Sequence, residues 1–341
     1  MFALGARRME VVVHDDFTEH QWEDLMLKTA LATCAIAISF GLTVPANAQD
    51  YPVDTITLIT HSSPGGGSDV FLREMSSFLA PVIGANVVVE NVRGGSGAKA
   101  MADLANAPAD GSRFYATTPT FIYTSLLSQP EYTYEDVLPL VNFFTDPEVI
   151  YTAADSDYET LGEVIAAAKE NLGRWGAANP ASLERQALER LKRAADVNAA
   201  IVTHEGGGDM MINVLNGTLQ IGVGEVQELK SQLEAGQIRL LATFSDRRLD
   251  QYPDVPTVEE LGYGVTVRKF RGLAAPKGTP KEIIALWEAA AQKVLENPEY
   301  RAKYQGNNLR PEFIPHEEYV TFMNGFADET AVFLKEAGVI D

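Results

Sequence analysis

The chain has 341 residues and a formal net charge of −20, from 27 Lys and Arg against 47 Asp and Glu. Its 46% hydrophobic and 22% charged residues are ordinary for a globular protein and exclude a disordered or fibrous chain, while the acidic balance argues against general nucleic-acid or anionic-membrane binding. One cysteine, Cys34, and five histidines exclude a disulfide framework and make metal-centred chemistry improbable, so neither a metal nor a cofactor is expected. The length suggests two domains.

From Met26 the chain reads as a secretory leader. Lys28 supplies the positive start, Thr29 to Val44 the apolar stretch, and Ala46-Asn47-Ala48 the A-x-A cleavage site before Gln49. The stretch is too short for a comfortable membrane span. Thr33-Cys34 is a poor lipoprotein box. Residues 1–25 carry six acidic and two basic residues, the wrong sign for an export signal. The expectation is therefore an upstream extension over 1–25 that is not part of the native protein, a leader over 26–48 and a periplasmic product that does not insert in a membrane.

Strands and helices alternate through the rest. Ile56 to Thr60 is a β-branched run that stops at Pro64-Gly65-Gly66-Gly67; a helix begins near Ser68-Asp69, one of which is expected as its N-cap, with Phe71, Met75, Phe78 and Leu79 on one face. Val87 to Val89 and Phe114 to Thr117 are further strands. After Asp146-Pro147, Val149 to Tyr151 opens a second series. Thr160-x-x-Glu163 is a capping box, Trp175 to Ala177 a short strand, and Ser182 the cap of the next helix. Strands follow at Ala200 to Thr203, Leu219 to Val223 and Ile238 to Thr243, then at Gly272 to Ala275 before a helix that buries Ile283, Trp287, Ala290 and Val294. This order predicts two α/β lobes, each a mostly parallel sheet covered by helices.

Ser62 to Asp69 places a glycine turn between strand and helix, which aims free N–H groups at an anion; it lacks the Lys-Ser/Thr ending of a nucleotide loop. Arg93 to Lys99 reads as a loop capping a helix. In His204-Glu205-Gly206-Gly207-Gly208 an esterase-like loop has no G-x-S-x-G elbow to serve. His61 and His204 each end a strand beside a glycine turn and are candidates to line a pocket. Arg268-Lys269-Phe270-Arg271 is a basic cluster in an acidic chain, and Arg271 is singled out because a guanidinium binds carboxylate through two donors. Asn179 and Ser182 mirror the first glycine loop at a second helix start.

The ordered set of Tyr51-Pro52, Pro64-Gly-Gly-Gly-Ser-Asp69, Val87-Val-Val-Glu-Asn91, Pro108-Ala-Asp-Gly111, Leu215-Asn-Gly217, Gly236-Gln-Ile-Arg-Leu-Leu-Ala242, Tyr252-Pro-Asp-Val-Pro-Thr257 and Ala275-Pro-Lys-Gly-Thr-Pro280 resembles the periplasmic receptors of tripartite tricarboxylate transporters, the Bug family. The resemblance implies a two-lobe Venus-flytrap fold that binds a small organic acid without chemistry and delivers it to membrane permease subunits. Lobe one would comprise 49–147 and 272–341 and lobe two 148–271, with hinge strands near 146–148 and 269–272. Family contacts map onto Ser63, Pro64, Gly65, Gly66, Gly67, Ser68 and Asp69 in one lobe and onto Ala178, Asn179 and Ser182 in the other. Thr118 and Thr120 stand where many members carry Gly, Ser or Asn, and Gly206 and Gly207 lie in a shared glycine motif. A monomer is expected. The rivals are an exported hydrolase using His61 or His204 with Ser68, and a ligand-binding partner of a sensory kinase.

Overall fold

The computed structural model describes residues 51–341; the expected upstream segment, the leader, its cleavage site and Cys34 lie outside the described residues. The first run of elements is β1 (Thr55–Thr60), α1 (Gly67–Ile83), β2 (Asn86–Asn91), α2 (Ala98–Ala105), β3 (Arg113–Thr117), α3 (Pro119–Ser128) and β4 (Val137–Thr145). A second run follows with β5 (Glu148–Ala153), α4 (Leu161–Glu170), β6 (Gly173–Ala177), α5 (Leu183–Ala194), β7 (Ala199–Thr203), α6 (Gly207–Leu215), β8 (Ile221–Glu225), α7 (Val226–Glu234) and β9 (Ile238–Thr243). The chain then returns through β10 (Phe270–Pro276), α8 (Lys281–Glu296), α9 (Pro298–Gly306), β11 (Arg310–Ile314) and α10 (His316–Glu336).

These strands form a six-stranded sheet, β11-β4-β10-β3-β1-β2, and a five-stranded one, β7-β6-β8-β5-β9. Both are mixed, not mostly parallel as the alternating pattern predicts. Strands joined by helical crossovers within one lobe are parallel, as in β1 with β2 and β3 and β6 with β7 and β8. β5 and β10 each enter their sheet from the opposite lobe and run against their neighbours, and β11 is antiparallel to β4. No crossover helix constrains a strand that arrives this way.

Each sheet is buried on both faces, which is why its strands read as near-continuous apolar runs. Ile56 and Leu58 pack with Phe71, Met75, Leu79 and Trp287 on one side of the first sheet, and Ile59 packs with Tyr115, Phe121 and Tyr319 on the other. In the second lobe Trp175, Val164, Leu188 and Leu191 fill one side, and Tyr151, Met210, Val214 and Leu229 the other. The Thr160 capping box forms, with Glu163 N–H donating to Thr160 Oγ1 at 3.2 Å and Thr160 N–H to Glu163 Oε2 at 2.9 Å.

The chain passes between the sheets through Asp146-Pro147 and back through the segment ending at Lys269. The two passages touch, since Asp146 N–H donates to the Lys269 carbonyl at 2.9 Å. Phe270 and Arg271, placed by the sequence boundary in lobe two, pair with Thr145 and Phe144 of the first sheet. Phe270 is held there by edge-on contacts with Tyr319, Phe322 and Phe326 of α10.

Candidate functional site

Five helices begin around one small cavity between the two sheets. Its lining includes Gly67 and Ser68 at the start of α1, Thr118 and Thr120 at α3, Asn179 and Glu184 at α5, Gly206 and Gly207 at α6, and Glu225 and Glu228 at α7, together with His61, Ser62, Ala178 and Lys269. The dipoles of these helix starts all favour negative charge at the same place. The free volume is about 30 Å³, room for a few waters at most.

The lobes meet through two glycine loops with no space for side chains. A Cβ on Gly206 would stand 2.6 Å from the Ser63 nitrogen, and one on Gly208 2.6 Å from the Pro64 carbonyl oxygen. The first loop is shaped by Asp69, whose carboxylate accepts from Gly65 N–H at 2.9 Å and from Asn91 Nδ2 at 2.9 Å. Burial opposes the Asp69 charge, but Arg73 and these donors outweigh it and hold the carboxyl below its ordinary range. One hydrogen bond crosses the cleft at its centre: Gly67 N–H donates to Glu228 Oε2 at 2.8 Å.

The first-lobe wall is neutral. His61 is driven down to about 4 by burial, with Lys269 and Arg271 adding to the effect, and its Nδ1 lies 2.7 Å from the Tyr115 hydroxyl, which burial keeps protonated. Thr118 stands at the N-cap position of α3, yet its side chain makes no capping bond and its buried Oγ1 has no protein partner. The second-lobe wall is acidic. Lys269 Nζ lies 2.8 Å from Glu148 Oε1 and 2.7 Å from Glu184 Oε1 and also contacts Glu225. An oxygen from each of these three carboxylates lies within 4.8 Å of the others, and the ammonium sits among them, where a metal would otherwise be considered. Burial works against the Lys269 charge, but Glu148 and Glu184 hold its pKa above the ordinary value. Glu148 is pushed up to about 8 by burial, against the pull of Lys269. Glu228 is likewise pushed up to about 8 by burial and by the nearby Glu184, whereas Glu184 itself, despite burial, is held low by Lys269.

The sequence profile of the tripartite tricarboxylate transporter family receptor matches residues 71–339. The chain belongs to that receptor family. BugT of Bordetella pertussis is 27% identical over 308 residues, covering 87% of this chain and 94% of its own length. Among solved structures, the periplasmic binding protein BugD superposes with a TM-score of 0.80 at 24% identity, over 85% of this chain and 99% of that one. An R. palustris protein solved with adipate superposes with a TM-score of 0.79 at 23% identity, over 85% and 99% of the two chains. These superpositions establish the two-lobe periplasmic-binding-protein fold.

The receptor's expected site residues divide in two. Gly67, Ser68, Thr118, Thr120, Ala178, Asn179, Gly206 and Gly207 line the cavity. Ser63, Pro64, Gly65 and Gly66 form the loop behind it, and Ser63 and Pro64 face Gly206 and Gly208. Asp69 shapes that loop, and neither it nor Ser68 is the N-cap of α1, a place taken by Gly66. Ser182 spends its hydroxyl as the cap of α5, accepting from Arg185 N–H at 3.2 Å.

Arg271, expected to face the ligand, lies behind the cavity. It is 1% exposed, donates from Nη1 to Ser68 Oγ at 2.9 Å and from Nε to Asp146, and stands 3.1 Å from Glu225 Oε1. Nε and Nη1 are taken up by Asp146 and Ser68, while the buried Nη2 makes no hydrogen bond among the described residues; the side chain turns this way because β10 begins two residues earlier than expected. Lys269 takes the lining position instead. His61 lines the cavity, but His204 does not and lies against Asn213, its Nε2 3.2 Å from Nδ2. Sequence reasoning missed Glu184, Glu225 and Glu228. The available signal was Glu225, an acid closing the otherwise small and apolar run Ile221-Gly-Val-Gly224.

Proposed function

We propose that this receptor captures a small carboxylic acid in the interlobe cavity and passes it, unmodified, to the membrane subunits of a tripartite transporter. The observation that carries the reading is the convergence of five helix N-termini on one buried cavity, a field that favours an anion where no surface charge is needed. Glu228 supports it, because a carboxylate oxygen fits at 2.8 Å from the Gly67 N–H. The adipate-bound R. palustris relative supports it further. Gly67, Ser68, Thr118, Thr120, Ala178, Asn179, Gly206 and Gly207 are the proposed contacts. The lobes pivot on Asp146-Pro147 and on Lys269, and the receptor acts in the periplasm as a monomer after cleavage behind Ala48. Binding without catalysis agrees with the geometry around Ser68: among the described residues neither His61 nor His204 is hydrogen-bonded to it, and its hydroxyl accepts from Arg271. Among the described residues no helix is long and apolar enough to cross a membrane.

A thermal-shift panel of mono-, di- and tricarboxylates tests the reading, since a ligand that binds only the folded form raises Tm. At least one acid should do so for the parent and much less for Gly206→Ala. The backbone of Gly206 is extended, with φ 162°, so alanine is tolerated locally and acts only by holding the lobes apart. Overpacking of this kind costs about 1–3 kcal/mol, roughly a five- to 150-fold loss of affinity. A panel without a single stabilising acid, or equal stabilisation of the variant, overturns the proposal.

A further inference from the structure

The interior between the lobes holds more acid than base. Asp146, Glu148, Glu184, Glu225 and Glu228 are all buried there, and among the described residues Lys269 and Arg271 are the cations buried with them. Four of the acids sit in ion pairs, Glu148, Glu184 and Glu225 with Lys269 and Asp146 with Arg271. Glu228 has no ion pair among the described residues. Its Oε2 accepts from Gly67 N–H of the opposite lobe at 2.8 Å, and its Oε1 is buried without a protein partner.

The surroundings give this carboxylate no other relief. A Cβ on Gly207 of α6 or on Gly224 of β8 would collide with it, so backbone closes in on two sides. Lys269 is matched to its own three acids. Arg271 leaves Nη2 unmatched, but that nitrogen lies under Gly67, where a Cβ would meet it, and it stands nearer to Glu225. Burial raises Glu228 most; Glu184 on α5 and Asp146 just past β4 add to the rise, against the pull of the Gly67 N–H and of Arg271 on β10. Tyr151 on β5 is kept protonated by burial and by Glu228 itself. An ionised carboxylate without a cation partner is expensive in such a place. A carboxyl group that keeps its proton carries no charge, and its carbonyl oxygen still accepts from Gly67.

What buries Glu228 is the other lobe. Parting the lobes on their proposed pivot breaks the Gly67 bond, admits water to the carboxylate and returns it toward its ordinary value of 4.5. Resting on the proposed capture of an acid between pivoting lobes, we infer that closure of this receptor takes up one proton at Glu228, so that the closed cleft is favoured at lower pH and opens as pH rises. A bound acid reinforces the link, because its negative charge disfavours a second ionised carboxylate beside it.

The sign follows from the two states of one group. Between the ordinary value of 4.5 and the closed value of about 8, the closing equilibrium weakens by up to about tenfold per pH unit. His61 sets the lower limit of the test, since below its ordinary 6.5 closure also expels a proton from the buried ring.

Two measurements on the full chain decide it. Small-angle scattering of the unliganded receptor at pH 6.5 and 8.5 reads the opening directly. The radius of gyration should grow with pH in the parent and stay constant in Glu228→Gln, whose amide keeps an acceptor for Gly67 and cannot ionise. Circular dichroism at both pH values checks that each protein stays folded. Calorimetry with succinate, adipate and citrate is the second measurement. The Kd of an acid that binds should weaken by up to about 30-fold from pH 6.5 to 8 in the parent and hardly at all in Glu228→Gln. A pH response in either measurement that the variant loses supports the inference. Dimensions and Kd that both ignore pH, or a response that the variant keeps in full, would overturn it and leave the carboxylate reading standing. If none of these acids binds, the carboxylate reading loses its support, and the scattering alone decides the proton link.

Discussion

The two walls of the cavity solve opposite problems with the same local device, a helix that starts at the cleft. On the first-lobe side α1 and α3 begin with Gly67-Ser68 and with Pro119 after Thr118, so the wall is backbone and hydroxyl, and its one titratable member, His61, is held neutral. On the second-lobe side α5 and α7 carry Glu184 and Glu228 in their first turns, and the helix starts themselves help to hold those charges. Acids in a first helical turn are usual at a protein surface. Buried against a partner lobe they lose that solvent, and among the described residues Lys269 and Arg271 compensate them. The receptor thus has a donor wall of backbone N–H and hydroxyl groups and an acceptor wall of carboxylates.

The comparison breaks most completely if the cation of the acceptor wall is removed. Lys269→Met leaves Glu148, Glu184 and Glu225 buried without their common partner, and loss of one member of a buried ion cluster costs about 3–5 kcal/mol. Urea denaturation at pH 7 should show a loss of that size. The deficit should shrink at pH 5, where protons replace the missing ammonium on the carboxylates. A loss below about 1 kcal/mol would mean that the acids are compensated by solvent and that the wall is not the closed ionic unit described above.

A gentler probe is pH acting on the unmodified receptor. Glu148 and Glu228 are pushed up to about 8, against an ordinary value of 4.5 that applies when the chain is unfolded. Between those limits the folded state binds more protons than the unfolded one, so stability falls as pH rises. It is fully present below the ordinary carboxylate range and lost on passing through 8, with a slope of up to about 1.4 kcal/mol per pH unit for each group. Glu184, held low, acts in the other direction but only at more acidic pH. Stability measured from pH 6.5, above which neutral His61 no longer opposes the trend, to pH 8 should therefore decline, and Glu228→Gln should flatten the decline by roughly half. A flat or rising profile in the parent would show that the acceptor wall is ionised without penalty.

How much of this was legible in the sequence follows from how local each feature is. The glycine turn after β1, the Thr160 box and the Ser182 cap are determined within a few residues, and they form where expected. β4 was missed because Pro139 and Asn142 interrupt its apolar run; it is a strand because β10 and β11 flank it. The mixed sheets were missed because strand direction depends on which lobe a strand arrives from, not on its own residues. Glu184, Glu225 and Glu228 look like solvated helix-start acids, and only the approach of Gly67, 161 residues from Glu228, buries them. Arg271 and Lys269 alternate across one strand, so a shift in its starting residue decides which of the two faces the cavity and which faces the protein's own acids.

The smallest expected effect tests the donor wall, and it carries opposite signs for stability and binding. Thr118→Val preserves shape and removes one hydroxyl. That hydroxyl makes no capping bond and has no protein partner, so the unliganded receptor loses no hydrogen bond when it goes. Replacing an unpaired buried polar group by an apolar one of the same shape is nearly neutral or stabilising, and the valine variant should melt at or slightly above the parent temperature. In the proposed complex the same hydroxyl is free to donate to the acid's carboxylate. A net hydrogen bond of about 0.5–1.5 kcal/mol then corresponds to an affinity roughly two- to tenfold weaker. A variant that melts several degrees lower would place Thr118 in a structural network, whereas one that binds the stabilising acid unchanged would remove Thr118 from the proposed contacts.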